Sequence, residues 1–390
     1  MRLAATLAGG ALALAACGGA APAADGAPRL VLVSAPVSSA PWVGSAVERG
    51  ARLAAQELGD VRIEVRDNRG SPQQAVAHAR EAVDLGAVAM VADGVGAVAV
   101  SEVSDPAALP VFVVFEGGAS LVDPAERPTV FRLAPSNTAM SRRLAAYLSE
   151  QARTVSVLGD DTSYGREGTA ATLQELERNG VRTVAPAVLP GGARDVSAQV
   201  LAARRQGAQA LVVWTGAAGV AAVVEAARSS GWDVPVYSGP TAADPLVRRQ
   251  LADHPEWVEG LTFVSFRITS EVGPEPFAQY RAAYEAAYGP DLVGVGDLAQ
   301  PPDWSTYSYD AVKLVHASLA ATGGRTGQPL VEALQTTVIT GANGDERGYG
   351  PTDREGVSPD DMYFGRFGPD LRFAPVTDDI LSTGLPAVDQ

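Results

Sequence analysis

From Arg29 onward, short β-branched apolar runs alternate with segments of helical period, and that alternation constrains the fold more than any other feature. A strand over Leu30–Ser34 is followed by a helix from about Ser45 to Leu58, with Ala46, Leu53 and Ala54 on one face. Next comes a strand over Val61–Arg66 and a helix introduced by Ser71-Pro72 and stopped by Gly86. Ala87–Val91, a glycine-broken turn over Asp93–Gly96, a helix to about Ala107 and a strand over Pro110–Phe115 complete the series. A second series opens at Ser136, with strands at Thr154–Leu158, Arg182–Ala187, Gln209–Trp214 and Val234–Tyr237. Its helices fall at Tyr164–Asn179, Asp195–Gln206 and Ala217–Ser230. Repeated β-α units of this kind build parallel, doubly wound sheets, so the chain is α/β with two similar lobes. The remainder holds a strand at Leu261–Phe266, helices at Pro274–Tyr288, Tyr307–Ala321 and near Leu330–Thr336, and a strand at Met362–Phe367. It is too short for a third domain and is expected to complete the first two.

The first residues carry a separate instruction. Met1-Arg2 precedes an Ala/Leu stretch from Leu3 to Ala16 that is too short to span a bilayer and reads as an export signal. It ends Leu14-Ala15-Ala16-Cys17-Gly18-Gly19, which resembles the lipobox of bacterial lipoprotein signal peptides. That resemblance makes residues 1–16 a signal peptide and Cys17 the lipidated first residue of a flexible tether over 17–28; the alternative is an ordinary secretory leader. Either reading puts the protein outside the cytoplasm.

Composition removes several classes. With 30 basic against 45 acidic residues the formal charge is −15, a field that disfavours nucleic acid as a partner. One cysteine excludes an internal disulfide, and His78, His254 and His316 are scattered without zinc-ligand spacing, so neither metal nor cofactor is expected. The chain has no Gly-x-Ser-x-Gly, H-E-x-x-H, Walker or Ser-x-x-Lys motif, which argues against an enzyme. The acidic stretch Gly341–Asp361 does not match the spacing of a calcium loop and reads as a solvated loop.

Five short motifs in fixed order carry a wider resemblance. They are Ala51-Arg52-Leu53-Ala54, Arg132-Leu133-Ala134-Pro135-Ser136-Asn137, Asp160-Asp161-Thr162-Ser163-Tyr164-Gly165, Arg194-Asp195-Val196-Ser197 and Tyr309-Asp310-Ala311-Val312. Together, from Pro28 to Phe373, the chain resembles the type I periplasmic binding proteins, specifically the branched-chain amino-acid binding family of ABC importers. The resemblance implies three crossovers between the lobes, near Ala134–Asn137, Leu261–Ile268 and Thr340–Pro359. Lobe 1 would then be 29–134 plus 268–339, and lobe 2 would be 135–262 plus 340–390. It implies a monomeric, non-catalytic protein that holds a small organic, carboxylate-bearing ligand and hands it to a permease and ATPase complex. A ligand sensor serving a membrane receptor is the alternative.

Site residues follow from the same source. Asp93-Gly94-Val95-Gly96 could simply be a tight turn, but in relatives this loop grips the ligand carboxylate, here through the amides of Gly94 and Val95. Ser120 is the nearest hydroxyl in the next loop, Tyr164 faces the cleft from the second lobe, and Trp42, Val43 and Trp304 fall near positions that touch the ligand side chain. Two departures stand out. Thr241 occupies the place of an acid that pairs with the ligand ammonium, with Asp244 three residues on, and Trp214-Thr215-Gly216 replaces a segment bearing a tyrosine. A site so altered is expected to favour ligands without a free α-amine, because a desolvated ammonium needs a partner.

Overall fold

The computed structural model describes residues 29–190, 192–266, 275–289, 303–359, 362–367 and 373–375. The signal, tether and Cys17 readings lie outside them. Lobe 1 is built on β1 (Arg29–Ala35), β2 (Val61–Asp67), β3 (Ala89–Ala92), β4 (Val111–Val113) and β5 (Val130–Arg132), in the order β2-β1-β3-β4-β5 with every pair parallel. The central strands are buried on both faces, as their unbroken apolar runs require. The intervening helices are α1 (Pro41–Leu58), α2 (Pro72–Asp84) and α3 (Ala97–Ala107). In α2 the Ser71 side chain accepts from the Gln74 amide, the cap expected from its sequence. The first helix starts at Pro41 rather than near Ser45, because proline fits the first helical position, where its missing N–H costs nothing. Trp42 and Val43, read as loop residues, are therefore in the first turn of α1.

Lobe 2 follows α4 (Asn137–Gln151), which leaves β5 with Ser136 as its cap. Its strands are β6 (Thr154–Asp160), β7 (Arg182–Thr183), β8 (Ala187–Leu189), β9 (Ala210–Trp214), β10 (Val236–Ser238) and β11 (Leu261–Phe266), and its helices are α5 (Ser163–Arg178), α6 (Ser197–Arg205), α7 (Ala217–Ser229) and α8 (Pro245–Gln250). The single strand expected over Arg182–Ala187 is split in two, since Ala185 takes a positive φ of 46° ahead of Pro186.

The tail returns to both lobes. Helices α9 (Glu275–Tyr288), α10 (Asp303–Ala321) and α11 (Gln328–Leu334) precede the hairpin of β12 (Val338–Thr340) and β13 (Glu346–Gly348), while β14 (Met362–Phe367) extends the second sheet antiparallel to β11 and β15 (Phe373–Pro375) pairs antiparallel with β14. Against α1, α10 packs so closely that a Cβ on Gly50 would lie 1.8 Å from the Ser305 carbonyl oxygen. It begins four residues before the expected Tyr307, placing Trp304 inside its first turn.

The hairpin of β12 and β13 is tied to α10. Asp310 of α10 accepts from the Ala342 amide at 2.8 Å and lies 3.5 Å from Arg347, which keeps residues 338–348 with lobe 1. Residues 354–356 then run beside β5: the Arg132 amide donates to the Arg354 carbonyl at 2.9 Å, and the Gly356 amide to the Arg132 carbonyl at 2.7 Å. One apolar core runs through this hinge, with Phe112, Phe131 and Tyr349 on one side and Tyr147, Tyr237 and Phe364 on the other.

Candidate functional site

At the carboxyl ends of the two parallel sheets, where open α/β sheets bind their ligands, the loop after β4 meets the helix after β6 through the Ala119 amide and Glu167. In lobe 1 the loop after β3 turns at Gly94, whose φ of 113° and whose neighbours both demand glycine. A Cβ there would lie 2.5 Å from the Cβ of Glu116, so the Glu116 side chain packs directly over this turn. Asp93 is buried and pushed up to about 6 by burial, although the Val95 amide at 3.2 Å and the Asn68 side-chain amide at 3.0 Å donate to it. The Val95 N–H expected to meet a ligand is thus turned onto Asp93. Burial pushes Glu116 up to about 7, with Asp93 and Glu167 adding to the shift and Arg132 opposing it. Arg132 is wholly buried and ties this loop to the hinge. Its guanidinium donates to the Gly118 carbonyl at 2.6 Å and to the Glu355 carboxylate at 2.7 Å.

Aromatic rings form the rest of this wall. Trp42 and Trp304 meet edge to face with centroids 4.5 Å apart, and Phe115 lies 5.5 Å from Trp304. Of the two neighbouring candidates, Val43 is in the core at 1% exposure, whereas Trp42 stays half-buried. Ser120 is exposed, and its carbonyl accepts from Arg127 at 2.8 Å.

Lobe 2 offers hydroxyls on an aromatic base. Thr241 donates to the Thr215 carbonyl at 2.9 Å, which leaves its oxygen to accept from the Tyr164 hydroxyl at 3.4 Å. Burial raises the Tyr164 hydroxyl well above its ordinary value, so it stays protonated. The Tyr164 ring stands edge-on to Trp214 at 5.2 Å, and Trp214 is fully buried with its indole N–H on Thr172 at 2.7 Å. Two glycines make this possible. A Cβ on Gly239 would lie 2.2 Å from the Tyr164 hydroxyl, and one on Gly168 would lie 2.3 Å from the Trp214 ring. Asp244 points elsewhere: it caps α8 by accepting from the Leu246 amide at 2.7 Å and, with Asp160 and Thr215, lines a cavity of about 300 Å³ that neither Tyr164 nor Thr241 borders.

The structure therefore gathers Trp42 with Trp304, and Tyr164 with Trp214 and Thr241, but leaves Val43, Ser120 and Asp244 out of these groups. Sequence reasoning gave no role to Asp93 and Arg132, although both stand in motifs it singled out, nor to Glu116 and Glu167. Glu167 stands three residues after Tyr164 on α5, the spacing that puts both on one helix face. It reaches across the cleft, where its carboxylate accepts from the Ala119 amide of lobe 1 at 3.2 Å. Among the described residues no group of three His, Cys, Asp or Glu side chains is arranged to hold a metal, and no helix is long and apolar enough to cross a membrane.

The family model described as periplasmic binding protein matches residues 30–370. Among solved structures, the chain is similar to a type 1 periplasmic binding protein from Bordetella pertussis, with a TM-score of 0.79 and 19% identity over 90% of this chain and 100% of that one. It is also similar to a leucine-binding protein from Thermotoga maritima, with a TM-score of 0.74 and 18% identity over 89% of this chain and 97% of that one. A third similar structure is a branched-chain amino-acid transporter substrate-binding protein from Streptococcus pneumoniae in complex with isoleucine. There the TM-score is 0.75 and the identity 17%, over 89% of this chain and 99% of that one. No curated protein sequence matches.

Proposed function

The chain belongs to the periplasmic binding protein family, and from that premise we propose that it captures a small solute of the amino-acid class between its lobes and delivers it to an ABC permease and ATPase. It works outside the cytoplasm, held at the membrane face through Cys17, and binds without transforming its ligand. The observation that supports the ligand class most strongly is the pairing of the two walls. Glu116, half-buried, and Asp93, buried, put carboxylates on lobe 1, a place for an ammonium, and Tyr164 and Thr241 put hydroxyls on lobe 2. On this reading an ammonium finds its partner in the acids of the wall opposite Thr241 rather than at Thr241 itself. The half-buried Trp42, seated against Trp304, provides apolar surface for a side chain. The similarity to leucine- and isoleucine-binding structures agrees with this size of ligand.

A thermal-shift panel tests the reading. Amino acids, aromatic acids and short dicarboxylates are added one at a time, and a solute that binds only the folded state raises the melting temperature. The expected hits are amino acids with apolar side chains. Stabilisation by dicarboxylates alone would overturn the assignment.

A further inference from the structure

The hydrogen bond from the Ala119 amide to Glu167 joins the lobes beside the first crossover, where the Asn137 amide donates to the Gly117 carbonyl at 2.7 Å. Ala119 opens the short 3-10 turn Ala119–Leu121 after β4, and Glu167 belongs to α5 of the other lobe. A Cβ on the adjacent Gly118 would lie 2.8 Å from the same carboxylate oxygen, so Glu167 is seated in the gap that this glycine leaves. An amide that receives a carboxylate from the opposite lobe faces the cleft and can receive an anion. Resting on the reading of this cleft as the solute site, we propose that Glu167 is a built-in clasp: its carboxylate occupies the Ala119 amide, holds the solute-free lobes together, and is displaced by the carboxylate of an incoming solute.

The charges around the clasp set when it holds. Glu116 and Asp93 lie on the lobe that Glu167 approaches, and the charge of Glu167 acts on Glu116. Arg132 is the cation facing Glu116, and its charge is shared with Glu355. In the arrangement seen, burial and the charge of Glu167 both favour the protonated form of Glu116, and an opening that admits water and takes Glu167 away would remove both effects. The closed form thus binds more protons than the open form, and the clasp tightens as pH falls. One linked proton can change the closed-to-open ratio by at most about tenfold per pH unit.

The test measures the distance between spin labels on the two lobes in dialysed, solute-free protein at pH 8 and pH 6. Wild type is expected to shift towards the closed distance at pH 6. Glu116→Gln should be as closed at pH 8 as wild type is at pH 6, and Glu167→Ala should be open at both. Glu167→Gln, which keeps the size of the side chain but not its charge, should lose most of the pH response. A Glu167→Ala distance distribution identical to wild type at both pH values overturns the clasp, whatever solute is found to bind. Conversely, opening in Glu167→Ala when no amino acid stabilises the protein upholds the clasp and overturns the solute assignment. Circular dichroism of each variant separates a changed lobe distance from a lost fold.

Discussion

The two walls of the cleft are built by opposite means. Lobe 1 presents carboxylates on glycine turns: Glu116 over Gly94, with Asp93 beneath and Arg132 behind. Lobe 2 presents neutral hydroxyls set on a rigid aromatic base, with Thr241 and Tyr164 standing on Trp214. Charge is held where the backbone bends, and shape is held where rings pack. Lobe 1 should therefore decide which charged group enters, while lobe 2 should decide how closely the cleft fits around it.

The largest effect should come from comparing tryptophans across the cleft. Trp214 is fully buried and Trp42 is half-buried. Trp214→Ala should cost about 3–5 kcal/mol of stability, the range for emptying a buried aromatic site, read as a lowered urea midpoint. Trp42→Ala should cost much less stability and show itself in weaker solute binding. Equal losses would break the contrast between a supporting ring and a contacting one.

Next in size is the link from the lobe 1 loop to the hinge. Arg132→Met removes the cation that joins the Gly118 carbonyl to Glu355, and breaking such a pair on one side should cost about 3 kcal/mol. Because Glu355 is one-third exposed, water can recover part of that loss. Denaturation measures the cost, and a loss well under 1 kcal/mol would mean that the loop is held by its backbone alone.

Tyr164 tests lobe 2. Tyr164→Ala should weaken solute binding by roughly 1–3 kcal/mol through lost ring burial and one hydrogen bond, with Trp214 and the fold left in place. Calorimetry with the best solute of the panel reads it, and unchanged affinity would put Tyr164 outside the pocket.

The smallest effect is a pH slope assigned to lobe 1. Asp93 and Glu116 ordinarily titrate at 3.8 and 4.5, and burial lifts them to about 6 and about 7. The folded protein then holds protons that the unfolded chain has released, so these groups make stability fall as pH rises from about 4 to about 7. Glu116→Gln should flatten the upper part of that fall in unfolding midpoints compared at pH 5 and pH 8. An unaltered slope would mean that Glu116 is not buried in solution.

Much of the architecture was legible because it rests on local signals. The alternation of apolar runs and helical periods located the strands, and Ser71, Gly86 and Ser136 marked helix ends by their own chemistry. Pro41 carried such a signal too, at the first position of α1, and reading past it moved Trp42 and Val43 into a loop. Within the site, what one segment encodes was readable: the glycine turn at Gly94 and the tyrosine opening α5. What depends on distant segments meeting was not. Glu116 becomes a candidate only because Gly94 lets its side chain lie over the turn, and Glu167 only because the lobes meet. Asp244 looked available as an acid from its distance along the chain to Thr241, yet the Leu246 amide two residues on claims it as a helix cap.

The central claim is that lobe 1 selects a cationic group through Glu116. The most direct measurement is a calorimetric titration of matched ligands, the best-binding amino acid and the 2-oxo acid of the same skeleton, into wild type and Glu116→Gln. Wild type should bind the amino acid at least tenfold more tightly, about 1.4 kcal/mol, and Glu116→Gln should lose most of that preference. Equal or tighter binding of the 2-oxo acid by wild type would contradict it and return the selection of the ligand to the neutral wall around Thr241.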